Sequence, residues 1–126
     1  MNYLVDTHVL LWAITDDDKN LSSEVRELLA GDGHVIYVSI ATLWELQIKQ
    51  SIGKIKLPLH FFDQLPLAGY EILPIQLKHI KNLAKLPALH RDPFDRMIIS
   101  QAQLEQLTLV THDALMMKYP VNILKT

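Results

Sequence analysis

NYLVDTHVLLWAI, residues 2–14, sets the frame for the whole chain. NYLVD (2–6) reads as a short buried strand, and HVLLWAI (8–14) reads as a helix. Between them stands Asp6, a carboxylate at the end of an apolar run. An acid in such a place is costly unless something pairs with it. The same strand-then-helix alternation recurs outward from this stretch. VIYVS (35–39), YEILPI (70–75), LTLVT (107–111) and VNIL (121–124) read as four further strands.

Helical patterns fill the intervals. LSSEVRELLA (21–30) has Ser22 as its N-cap and Gly31 and Gly33 as its stop. ATLWELQIKQSI (41–52) ends at Gly53, and LKHIKNLAKL (77–86) is amphipathic. PFDRMIISQAQLEQ (93–106) carries the strongest start signal, with Asp92 as N-cap and Pro93 at the first helical position. DALMMK (113–118) reads as a short helix, and in 54–69 Pro58 and Pro66 bracket another. DDDKN (16–20) and PALHRD (87–92) read as loops. Strands separated by helices imply a mostly parallel five-stranded sheet covered on both faces.

Length and composition are consistent with this. The 126 residues suit one domain, 1–126, with one core, and 49% of them are hydrophobic. The absence of cysteine excludes disulfides, thiolate zinc sites and cysteine nucleophiles, and fits a reducing cytoplasm. The apolar N-terminus has no basic segment and is interrupted by Asp6, so neither a signal peptide nor a membrane span is expected. A net charge of −2 excludes binding nucleic acid through a whole-protein basic field.

Four acids then draw attention: Asp6, Glu45, Asp95 and Asp113. Asp6 ends the first strand, and Asp113 follows the fourth just after Thr111. In open parallel sheets, ligands bind at the carboxyl ends of strands. Glu45 shares a helical stripe with Ala41, Ile48 and Ile52, and Asp95 shares one with Ile98, Ile99 and Ala102. Each acid also has a plainer role: Asp6 and Asp113 as caps, Glu45 as an ion-pair partner of Lys49, Asp95 as a favourable charge at a helix N-terminus. Caps and turns need not fall on one side of one sheet, whereas a divalent cation would hold four converging carboxylates there. An all-oxygen set suits Mg²⁺ or Mn²⁺, and phosphodiester cleavage is the chemistry such centres commonly perform. Asp92 is first an N-cap and second an outer contributor to the site. Arg96 is expected to pair with a neighbouring carboxylate or to meet a phosphate, with Lys49 and Arg91 as further basic groups. The histidines have no paired metal-binding spacing, so His8, His90 and His112 are read as polar groups around the acids. Helical spacing places Trp12 and Trp44 in the core. Phe61 and Phe62 are adjacent, so one of them should lie at a groove or partner surface.

LVDTHVLLW (4–12), SIATLWEL (39–46), HRDPFDRMIISQA (90–102) and LVTHD (109–113) together resemble the PIN domain. More narrowly, they resemble PIN proteins of the VapC toxin type, including a subgroup that carries the DPFDR string. The motifs span nearly the whole chain in the family's order. The resemblance implies a three-layer α/β/α fold in which Asp6, Glu45, Asp95 and Asp113 are an acidic quartet binding Mg²⁺ or Mn²⁺. It implies that Thr111 supports that site, with Thr7 and Ser39 as polar positions near it. It also implies a ribonuclease leaving a 3′-hydroxyl and a 5′-phosphate, usually a homodimer held by a small antitoxin. A non-toxin RNA-processing nuclease and a non-enzymatic metal- or partner-binding module remain as alternatives. A haloacid-type phosphatase would need an Asp two residues after Asp6, where His8 stands, and a phosphoacceptor receiver would need paired acids near the first strand end.

Overall fold

The computed structural model describes residues 1–15 and 17–126. Five strands form one sheet: β1 (Asn2–Val5), β2 (Val35–Ser39), β3 (Tyr70–Leu73), β4 (Thr108–Thr111) and β5 (Ile123–Lys125). Their order is β3-β2-β1-β4-β5, and every pairing is parallel. Six α-helices accompany them: α1 (Thr7–Ile14), α2 (Ser23–Ala30), α3 (Ile40–Ser51), α4 (Phe61–Leu67), α5 (Leu77–Asn82) and α6 (Pro93–Leu104).

Side chains alternate across a strand, so neighbouring residues serve opposite faces. Val5 and Val110 pack on one side with Val9, Leu10, Val25 and Phe61, from α1, α2 and α4. Leu4 and Leu109 pack on the other with Ile98, Ile99 and Ala102 of α6. α3 touches both cores, through Leu46 on one side and Ala41 on the other. The result is a three-layer α/β/α fold.

The strand order places the site. From β1 the chain winds outward through β2 and β3, then returns across β1 to β4. The topological switch therefore lies between β1 and β4, where the loops leaving the two strands diverge and open a crevice. Asp6 follows β1, Asp113 follows β4, and the Asp6 backbone N–H donates to the Val110 carbonyl at 3.1 Å.

Several boundaries differ from the sequence expectation. Pro66 lies inside α4 rather than beyond it, in the last turn of a seven-residue helix where its missing N–H forgoes one bond. The expected helix at 113–118 is only a 3₁₀ turn, Met116–Lys118. Pro120 accounts for this, because the residue before a proline avoids the helical region and Tyr119 is extended. α5 gives way after Asn82 to a 3₁₀ turn, Leu83–Lys85, and α6 stops at Leu104 with Gln106 in the left-handed region. In the polar stretch 16–20, Asp18–Asn20 forms a 3₁₀ turn, and Asp16 lies outside the described residues.

Candidate metal centre

Asp6 is 3% exposed and caps α1, its Oδ1 accepting the Val9 N–H at 2.9 Å. Its Oδ2 accepts the Thr111 hydroxyl at 2.5 Å. Burial raises its pKa, against the opposing pull of the Thr111 and Val9 bonds and of His8, and the Asp113 charge adds to the rise. Thr111 also accepts the backbone N–H of Asp113 at 3.0 Å, so one hydroxyl joins the acids that follow β1 and β4.

Glu45, 8% exposed, projects from α3 into the same region. Its Oε1 accepts the Thr7 hydroxyl at 2.8 Å, which also lies 3.1 Å from Thr42 Oγ1. Its Oε2 lies 3.1 Å from Lys49 Nζ. The helical ion pair and the inward position are thus both present. The stripe assigned to Glu45 holds only in part, since Ile48 and Ile52 are exposed. The buried sector of α3 is Ala41, Thr42, Glu45 and Leu46, which leaves Ile40, Trp44, Ile48 and Ile52 as an uncovered row at four-residue spacing.

Asp95 enters from the first turn of α6, anchored by buried Ile98, Ile99 and Ala102 on its face. Its pKa is raised to about 7, by burial first, then by Asp92, with Glu45 and Asp6 adding and His90 opposing. Its Oδ2 lies 3.0 Å from His90 Nε2, and Oδ1 takes no hydrogen bond among the described residues. Asp113 is more open. Its Oδ1 accepts the Leu115 and Met116 N–H groups, and its Oδ2 lies 3.0 Å from the same His90 Nε2. Burial pushes its pKa up, but the His90 bond and those two N–H groups outweigh it and hold the carboxyl below its usual range.

The supporting residues separate by what they touch. Asp92 caps α6, accepting the N–H groups of Phe94 and Asp95, and acts on the site through its charge beside Asp95. Ser39 is fully buried, caps α3 and donates to Gln101 Oε1, so it joins β2 to α6 without contacting the four acids. Arg96 departs from the ion-pair expectation: it pairs with no carboxylate among the described residues. Its guanidinium instead donates to the carbonyls of Leu83, Leu86, Pro87 and His90 and to the Tyr119 hydroxyl. Trp44, expected in the core, is 60% exposed and meets Phe94 edge-on at 5.1 Å. Trp12 is half-buried between His8 and His112, with ring centroids 5.9 and 5.8 Å away. Of the adjacent pair, Phe61 is buried and Phe62 is exposed at a groove formed with Leu57, Pro58 and Leu59.

Sequence reasoning placed His90 only among the polar groups around the acids, with His8 and His112, and not between two of them. Its Nε2, Asp95 and Asp113 offer three ligand-type atoms within 4.8 Å of one another. The available signal was its position two residues before the Asp92 cap, which puts it at the same end of α6 as Asp95. A cleft of about 250 Å³, lined by Asp6, His8, Trp12, His112 and Asp113, opens beside these groups. A larger depression of about 620 Å³ around Gln103, Gln106 and Asn122 gathers no acidic or imidazole group.

The donor set fits a divalent cation. Asp6 and Asp95 are buried close enough to other carboxylates to have their ionised forms penalised, and a bound cation would remove that penalty.

Residues 3–121 match the PIN domain family model, and the chain belongs to the PIN domain family. No curated protein sequence matches it. Among solved structures, it is similar to VapBC2 from Rickettsia felis bound to a promoter DNA fragment, with 23% identity, a TM-score of 0.75, and coverage of 99% of this chain and 98% of that one. DNA-bound VapBC from Salmonella typhimurium follows at 16% identity and TM-score 0.66, with coverage of 99% and 98%. FitAcB from Neisseria gonorrhoeae stands at 18% identity and 0.61, with coverage of 98% and 96%. At these identities the likeness is one of fold.

Proposed function

We propose that this chain is a divalent-metal-dependent endoribonuclease of the VapC type, the toxin of a type II toxin–antitoxin pair. The observation that carries the reading is the convergence of Asp6, Glu45, Asp95 and Asp113 at the β1–β4 switch of a PIN fold. When bound there, Mg²⁺ or Mn²⁺ supplies a nucleophilic water at neutral pH and offsets charge on the departing oxygen. The chain's own residues hold and orient. Thr111 and the Val9 N–H hold Asp6, Thr7 and Lys49 hold Glu45, and His90 holds Asp95 and Asp113. Attack by water in line with the departing oxygen leaves a 3′-hydroxyl and a 5′-phosphate. Exposed Arg91 and the partly exposed Lys49 would receive the RNA backbone.

The chain acts as one domain, 1–126, in the cytoplasm, and among the described residues no helix is long and apolar enough to cross a membrane. Its partners are a second copy and a small antitoxin. The likeness to VapBC assemblies supports the antitoxin, and the uncovered apolar row Ile40, Trp44, Ile48 and Ile52 supports a contact with another protein chain.

The test is cleavage of a mixed RNA set by protein freed of any small partner, with Mg²⁺, Mn²⁺ or chelator. Cleavage is expected with either metal, and is expected to be lost with chelator and in folded Asp6→Asn and Asp95→Asn variants. Full activity in a well-folded Asp95→Asn protein would refute the assignment.

A further inference from the structure

We propose that the cleft beside Asp6 and Asp113 is a subsite for one unpaired nucleobase, stacked on Trp12 with His8 and His112 at its sides, so that the RNA is single-stranded where it meets the candidate centre. This rests on the nuclease reading above for the phosphate beside which the base sits. α1 starts at its Asp6 cap, so side chains on its first turns stay near that acid. His8 and Trp12 are four residues apart on this helix and share one of its faces. Trp12 packs against the core that holds Val5 and Val25 yet is only half-buried, and it lines the cleft together with His8.

His112, which follows β4, completes the wall. Neither imidazole lies flat on the indole, since the ring planes are 40° and 76° apart. A flat ring entering the cleft therefore has no parallel partner to displace. His112 Nδ1 donates to the Thr126 carbonyl oxygen at 2.6 Å, and Thr126 Oγ1 accepts the Ser22 N–H at 2.8 Å, so this ring is held before any ligand arrives. A wall already held loses little freedom on binding.

The chemistry of the lining selects the occupant. Beyond the two acids, the cleft presents an indole and two imidazoles, and no lysine or arginine among the described residues. A phosphate placed in it would meet carboxylates and no basic side chain, whereas a neutral, flat base meets rings. Its volume of about 250 Å³ lies below the roughly 300–1,000 Å³ of pockets for larger ligands, which suits a single base. Asp6 and Asp113 belong to the cleft and to the candidate centre alike, so a base held here neighbours a phosphate held there. In a duplex the faces of a base are covered by its stacked neighbours, so only an unpaired one can lie on Trp12. Packing against the core accounts for one side of the indole, and not for its place in an open cleft beside two acids.

Fluorescence tests this in a Trp44→Phe protein, in which Trp12 is the one tryptophan left of two. It is titrated with a short single-stranded RNA oligomer, with the same ribose–phosphate chain lacking bases, and with a hairpin duplex. Ca²⁺, which carboxylate oxygens also bind, replaces Mg²⁺, and recovery of the intact strand is checked. The oligomer is expected to quench Trp12, and the base-free chain and the duplex to leave it unchanged. Trp12→Leu should bind the oligomer about 5–150-fold more weakly, the worth of one stacked base, and bind the base-free chain as before. Trp12→Phe should recover most of that loss. A purely structural role would weaken both chains alike. Quenching by the base-free chain, equal losses for the two chains, or full affinity in folded Trp12→Leu would each overturn the inference. If Trp12→Leu does not fold, the quenching comparison decides. Base-dependent quenching with no cleavage in Mg²⁺ or Mn²⁺ would leave the subsite and sink the nuclease reading, whereas cleavage without such quenching would sink the subsite alone.

Discussion

Asp95 is the residue on which the site's electrostatics turn. The unfolded chain releases its proton near 3.8, while the folded protein keeps it up to about 7. Between those values the native state holds a proton that the unfolded state has lost, so rising pH favours unfolding. The stability linked to this group is complete below 3.8 and is lost as pH climbs through about 7, and Asp6 shifts in the same direction. In chelator, the wild-type melting temperature is therefore expected to fall across that window. Asp95→Asn should fall less and melt higher at the alkaline end. Added Mg²⁺ should flatten the wild-type curve, because the ion binds the ionised carboxylates. A chelated wild type whose melting temperature ignores pH would contradict the burial argument. Asp6, Asp95 and Asp113 were legible as acids at one end of one sheet, because strand ends and helix periodicity fix which end a residue occupies. His90 was legible as a polar group near the acids, but its contact with Asp113 was not, since no spacing rule connects residue 90 with residue 113.

At the scale of elements, α6 was the most legible, because Asp92 and Pro93 carry local chemistry that needs no tertiary context. The segment leading into it was not. Residues 83–90 contain little regular structure, and Arg96 of α6 holds them by their carbonyls together with Tyr119. Such contacts depend on where a loop passes, and composition does not record that. Replacing Arg96 with Met should cost about 2–3 kcal/mol, since a charged donor leaves several acceptors unmet. It should also speed amide exchange at Leu89 and His90, whose N–H groups donate to the Tyr119 hydroxyl that Arg96 braces. Lys should not rescue it, because one ammonium cannot reproduce the planar fork that spans these carbonyls. Unchanged exchange at both amides would show that the loop is held by other means.

For the whole molecule, the alternation of strands and helices made the parallel sheet and its two covered faces readable, but not the surface. Periodicity identifies a helix face and does not say whether anything covers it, which is why Trp44 was placed in the core and lies outside it. A Trp44→Lys substitution should leave the melting temperature nearly unchanged, since the ring is mostly in solvent, and, on the proposed pairing of two copies through this row, should lower the mass measured by light scattering from two chains to one. A folded Trp44→Lys protein that keeps the wild-type mass would remove this row from the proposed contact between copies. The pairing of β1 with β4 has a further consequence, for a protein while it is being made. Asp6 meets the hydroxyl of Thr111, 105 positions later. At about 5–20 residues per second, a ribosome needs roughly 5–20 s to cover that interval. Throughout it the nascent chain lacks both Thr111 and Asp113, and β1 has no neighbour on that edge. The carboxylates after β1 and β4 thus cannot meet on the ribosome until that whole interval has been made, and whatever chemistry they perform together waits for it.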